Sequence, residues 1–151
     1  MINARCLECG FEASEGAVEC QECFDILIAR DFNDARYGRW HRMAVDAYCL
    51  QHPDKYCVSA KSLMAHLGGL CCAFEHNGDL ALLRALSQSL SGTPKLEKPK
   101  LPTTRGALTI GDVLAAPDPE SYGRKVEQWA RSVWDAYTSL HGFARDWIAS
   151  L

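Results

Sequence analysis

A chain of 151 residues with 48% hydrophobic content is long enough to bury its own core as one domain without disulfide support. Its net charge of −3 and 23% charged residues give no broad positive field, which argues against nucleic acid or an anionic membrane surface as a partner. The opening MINARCLECG lacks the apolar run of a signal peptide, and no stretch approaches about 18 consecutive apolar residues, so a cytoplasmic protein that does not span a membrane is expected.

Residues 1–19 are polar and rich in Gly and Glu, the composition of a turn and a small hairpin. From Cys20 to Phe32 the apolar residues Phe24, Leu27, Ile28 and Phe32 recur at helical spacing. A break at Asn33-Asp34 and Gly38 precedes a second helix over Arg39–Gln51, stopped by Pro53. The short turn between these two helices makes them antiparallel neighbours. Ser59 is the expected N-cap of a third helix running to Glu75, and Gly68-Gly69 in its middle predicts close approach of another helix. Asn77-Gly78 reads as a turn, Asp79 as a cap, and Leu80–Leu90 as a fourth helix. The proline-containing stretch 91–106 reads as an extended loop lying across the surface. Thr109 and Asp112 resemble a capping box for a short helix limited by Pro117. Asp118-Pro119 then starts the longest element, a helix of about 30 residues and roughly 45 Å, which Gly142 bends. Its apolar stripe through Val126, Trp129, Val133, Leu140 and Trp147 makes it the spine of the fold and a candidate homodimer seam. The expected architecture is mainly α: one domain over 1–151, with a metal-binding segment 1–24, a helical region 25–90, the loop 91–106 and C-terminal helices in 107–151.

Eight cysteines in a reducing compartment are expected to hold metal where clustered and to pack as small hydrophobes where scattered. Cys6-Leu-Glu-Cys9 and Cys20-Gln-Glu-Cys23 form the clustered set. Two residues between cysteines let a tight turn aim both sulfurs at one ion, and four thiolates suit tetrahedral Zn2+ in a closed, structural site. The second pair falls in the first turn of a helix, whose amides favour thiolates. The arrangement resembles a zinc knuckle or treble clef. The segment is acidic, with Glu8, Glu12, Glu15, Glu19, Glu22, Asp25 and Asp31 against Arg5 and Arg30, the reverse of a nucleic-acid-reading finger. An antiparallel second helix returns its end beside Cys20, so His52 is the best non-cysteine candidate for the fourth ligand or for a partner of a thiolate.

The Cys-x-x-Cys-Gly start, CQECFDILIARD, VDAYCLQHP, Ala65-His66-Leu67, LTIGDVLAA and the ending WARSVWDAYTSLHGFARDW together resemble an uncharacterised bacterial family catalogued as a domain of unknown function. The resemblance covers nearly the whole chain and implies a small helical protein with no assigned activity. Leu7 stands where the family often has proline. The family pattern has an apolar residue at the place of Cys23, so the resemblance implies Cys6, Cys9 and Cys20 as ligands and leaves the fourth place to Cys23, with His52 as the alternative.

His41, Asp46 and His66 are the candidate catalytic residues, because His66 is expected level with the middle of the second helix and an Asp–His pair there suits proton transfer. Against that stands a purely structural reading, in which Asp46 pairs with Arg42 at i,i+4. His41, His66 and His141 on facing helices are candidates for a second metal site, although no HExxH, ExxH or HxxxH pair occurs. The leading functional expectation is a zinc-stabilised interaction or regulatory module with a protein partner. The other readings are a small metal-dependent enzyme using histidines of the second and third helices, and thiol chemistry at Cys20 and Cys23.

Overall fold

The structure, a computed structural model, describes residues 4–13, 17–92 and 95–151. Residues 14–16 of the expected hairpin, with Glu15, and residues 93–94 of the expected loop lie outside the described residues. The architecture is helical, fronted by one two-stranded antiparallel hairpin, β1 (Ala4–Arg5) and β2 (Glu12–Ala13).

Helix α1 (Ala17–Asn33) is followed by a single helical turn, α2 (Ala35–Gly38), capped by the Asp34 side chain. Helix α3 (His41–Gln51) begins two residues later than the spacing predicts, because α2 takes up the connection. Pro53 does stop α3, and it then opens a short helix of its own, α4 (Pro53–Tyr56), as a proline with no amide to satisfy is suited to do. Helix α5 (Ala60–Glu75) starts from Ser59, whose side chain accepts from Ser62 N–H in a capping box. Helix α6 (Leu80–Gly92) follows the Asn77-Gly78 turn, where both residues have positive φ. The Thr109–Asp112 capping box forms as expected and starts α7 (Ile110–Leu114).

Helix α3 is central, packed against α5 on one side and α8 (Pro119–Ala136) on the other. The glycine pair of α5 serves close approach on two fronts: a Cβ on Gly68 would meet Leu86 of α6, and one on Gly69 would lie 2.1 Å from Asp46 Oδ2 of α3. Helix α8 presents Tyr122, Val126, Trp129, Val133 and Trp134 to the core, all buried. These aromatic side chains are consumed inside the chain.

The last element differs from its expectation. In place of one helix of about 30 residues, α8 ends at Ala136, a 3₁₀ turn spans Thr138–Leu140, and α9 (His141–Ala149) packs against α5. The break comes before Gly142 and has side-chain causes. Thr138 Oγ1 donates to Asp135 O and His141 Nε2 donates to Trp134 O, so two carbonyls that a continuing helix would use are taken. Tyr137 is buried and its hydroxyl donates to Leu50 O of α3, which fixes the point of departure.

Residues 95–109 have no helix of their own and run across the end of α3. The buried Gln51 side chain holds them: its amide donates to Arg105 O (3.0 Å) and Leu108 O (2.7 Å), while its Oε1 accepts from Trp129 Nε1 (2.9 Å). Arg105 in turn reaches Glu8 O in the hairpin. Replacing Gln51 with leucine strips partners from an indole N–H and two carbonyls. Buried unsatisfied groups cost about 1–3 kcal/mol each, and the carbonyls regain water in part, so a loss of about 2–4 kcal/mol is expected in denaturant titration. An unchanged midpoint would contradict this.

Candidate metal centre

The centre is built from three parts of the chain. The first is the turn after β1, where Cys6 N–H donates to Phe11 O (2.8 Å) and Gly10 N–H to Cys6 O (2.9 Å). Gly10 sits at φ +83°, a conformation costly for any side chain, and the turn it permits lets Phe11 N–H donate to Cys9 Sγ (3.4 Å). The second part is the first turn of α1, which supplies Cys20. The third is the end of α3, where His52 follows the last helical residue.

These segments bring Cys6 Sγ, Cys9 Sγ, Cys20 Sγ and a His52 ring nitrogen within 4.8 Å of one another, a group that can hold a metal ion. Cys9 and Cys20 sulfurs are 3.7 Å apart, and His52 Nε2 lies 3.6 Å from Cys6 Sγ and 3.4 Å from Cys20 Sγ. His52 Nδ1 stands 2.7 Å from Tyr48 O. A carbonyl only accepts, so Nδ1 carries the proton and the Nε2 lone pair faces the sulfurs. The Tyr48 ring is sandwiched between Phe24 (3.8 Å) and His52 (3.9 Å), and its hydroxyl is 3.6 Å from Cys20 Sγ. Cys20 and His52 are 1% and 5% exposed, so the group is shielded from water.

The electrostatics favour a thiolate at Cys20. The hydrogen bond from Cys9, with that of the Tyr48 hydroxyl, holds the Cys20 thiol well below its ordinary range against the opposing effect of burial. Cys9, the donor to Cys20, moves up for the same reason, with burial adding to the shift. Burial, then the hydrogen bond to Cys20 and its charge, pushes the Tyr48 hydroxyl upward and keeps it a donor.

Cys23 lies outside this group. It is half-buried, and burial first, then the charges of Cys20, Glu19 and Glu22, raises its thiol. It is not among the four side chains whose donor atoms all lie within 4.8 Å of one another. The end of α3 fills that corner instead, with His52. Cys49, Cys57, Cys71 and Cys72 are buried, and burial raises all four thiols, as expected of packing residues.

The histidines proposed for catalysis separate into two pairs. His66 Nδ1 is 2.9 Å from Asp46 Oδ1, and Arg42 Nε donates to Asp46 Oδ2 (3.0 Å), so one carboxylate makes both of the contacts weighed for it. His41 Nδ1 instead meets Asp31 Oδ2 (3.0 Å), whose Oδ1 accepts from Tyr122 OH (3.0 Å). Sequence reading did not single out Asp31 as a partner, although its place on the Phe24–Leu27–Ile28 stripe put a carboxylate on the buried face. His141 stacks on Trp134 (3.7 Å) and bonds to its carbonyl. His41, His66 and His141 are not among the metal-competent groups of the described residues. A second such group, Cys71, Glu75 and His76, is present, but both Glu75 oxygens are held by Arg145.

Among the described residues no helix is long and apolar enough to cross a membrane. A family model described as "Family of unknown function (DUF5946)" matches residues 4–138. No curated protein and no solved structure matches the chain.

Proposed function

The chain belongs to this family of unknown function, and from its metal centre upward we propose that it is a zinc-stabilised interaction module. The observation that carries the reading is the spacing of the donors. With Zn–S near 2.3 Å and Zn–N near 2.05 Å, an ideal tetrahedron has S···S edges of about 3.8 Å and S···N edges of about 3.6 Å. The Cys9–Cys20, Cys6–His52 and Cys20–His52 separations are 3.7, 3.6 and 3.4 Å. Three sulfurs and one imidazole select zinc over oxygen-seeking calcium or magnesium.

Cys6, Cys9, Cys20 and His52 fill all four positions, so the ion supplies folding energy and no site for substrate. It ties the hairpin, α1 and the α3–α4 junction together on an acidic surface. Eight cysteines with no disulfide among the described residues suit the reducing cytoplasm.

Elemental analysis of purified protein tests this directly. One zinc per chain is expected, retained in Cys23→Ser and lost in Cys9→Ser and His52→Ala. Loss of zinc from Cys23→Ser with retention in His52→Ala would move the fourth ligand back to Cys23 and sink the assignment.

A second reading, a small enzyme, draws support from the buried Asp46 carboxylate that orients His66. It requires a second metal equivalent or a turnover abolished by His66→Ala.

A further inference from the structure

A cleft of about 820 Å³ opens beside the metal centre. Cys6, Tyr48 and His52 form its buried floor, so it adjoins the ion's own ligands. Its rim carries three carboxylates, on Glu8, Glu22 and Asp54, against the single cation of Lys55. That cation is already engaged, donating to Gln21 Oε1 (2.9 Å) and lying 5.3 Å over the Tyr56 ring. Leu7 stands on the same rim between two ligand cysteines, 98% exposed, beside the half-buried Tyr56. A leucine in that position leaves apolar surface in water that a partner would bury.

We infer that this cleft is the docking groove for a basic, extended segment of another protein, one that places a lysine or arginine next to an apolar side chain. The apolar side chain packs on Leu7 and Tyr56, and the cation meets Glu22 and Asp54. Charge complementarity selects this occupant: the rim repels phosphate backbones and anionic headgroups, and an acidic peptide has only an occupied lysine to meet. Leu7 and Glu8 lie between Cys6 and Cys9, so the ion fixes where both project and binding depends on metal loading. The inference rests on the interaction-module reading and supplies the chemistry of its partner.

The test uses the full zinc-loaded chain and a fluorescein-labelled peptide, GSLKLKGS, with GSLELEGS as its acidic counterpart, followed by anisotropy. Saturable one-to-one binding of the basic peptide is expected, with none of the acidic one. Leu7→Ser and the double variant Glu22→Lys, Asp54→Lys should each weaken it by about tenfold or more, with zinc content unchanged. Absence of saturable binding, or equal affinity in the wild-type chain and both variants, would overturn the groove. So would preferential binding to phosphatidylserine vesicles or to an RNA oligonucleotide. Zinc measured on the same samples keeps the two claims apart: a full complement of metal with no peptide binding removes the groove and leaves the metal centre standing.

Discussion

Protein stripped of zinc by a chelator, or carrying Cys9→Ser, is expected to melt roughly 8–16 °C below the metal-loaded chain. Structural zinc contributes on the order of 10 kcal/mol of folding energy in small zinc-finger peptides that have no other core. This chain has one, built on α3, α5 and α8, so only the part of that energy that ties the hairpin and α1 to α3 is lost. A loss of about 4 kcal/mol, at about 2–4 °C per kcal/mol for a chain of this size, gives the stated range. Calorimetry reports the shift, and limited proteolysis should place the new cleavage in residues 4–13 and the start of α1. An identical melting temperature in protein shown by elemental analysis to be metal-free would refute the structural role of the ion.

Gly69→Ala is the second large effect, and two contributions of opposite sign decide it. Alanine in a helix interior gains about 1 kcal/mol over glycine. Here its Cβ would lie 2.1 Å from Asp46 Oδ2 and 3.0 Å from Arg42 Nη2, so the carboxylate must move. The Asp46 side chain is 2% exposed, and separating a buried charge from its partners costs about 3–5 kcal/mol. Arg42 and His66 are half-exposed and partly exposed and regain some water, which places the cost at the lower end. A net destabilisation of about 2–3 kcal/mol is therefore expected. Adding Asp46→Ala to Gly69→Ala should recover part of it, because the clash and the displaced charge vanish together. If Gly69→Ala alone proves more stable than the parent, helix propensity governs this position and the close-approach argument fails.

The same pair of helices shows what the sequence could and could not disclose. Gly68-Gly69 announced a close approach, since nothing else justifies two glycines inside a helix. It did not say that one would admit a leucine of α6 and the other a carboxylate of α3. Similarly, the hairpin-and-helix pattern of cysteines was legible because paired thiols at that spacing mark a group able to hold a metal. The proximity of His52 followed from the short α1–α3 connection. That Cys23 would stand outside the group was not legible from Cys-x-x-Cys spacing, which does not show that the end of α3 brings an imidazole to the same corner. The break after Ala136 was hidden for a related reason. Its causes, the hydroxyl of Thr138 and the imidazole of His141 competing for carbonyls, leave no mark on apolar periodicity. Gln51 gave no signal either, since a single amide between Leu50 and His52 looks like an ordinary surface position until its three partners are seen.

All four donors of the metal centre lie within the first 52 residues, whereas the indole and the carbonyls that engage Gln51 come from Trp129, Arg105 and Leu108. During synthesis the metal-competent set of side chains is therefore complete while the C-terminal half is still being made. In that interval the Phe24–Tyr48 stack and the Cys20–His52 contact already join the first helix to the end of the third, before the remaining core arrives to share the task. The ion proposed above is then a participant in folding and not only a clamp on the finished chain.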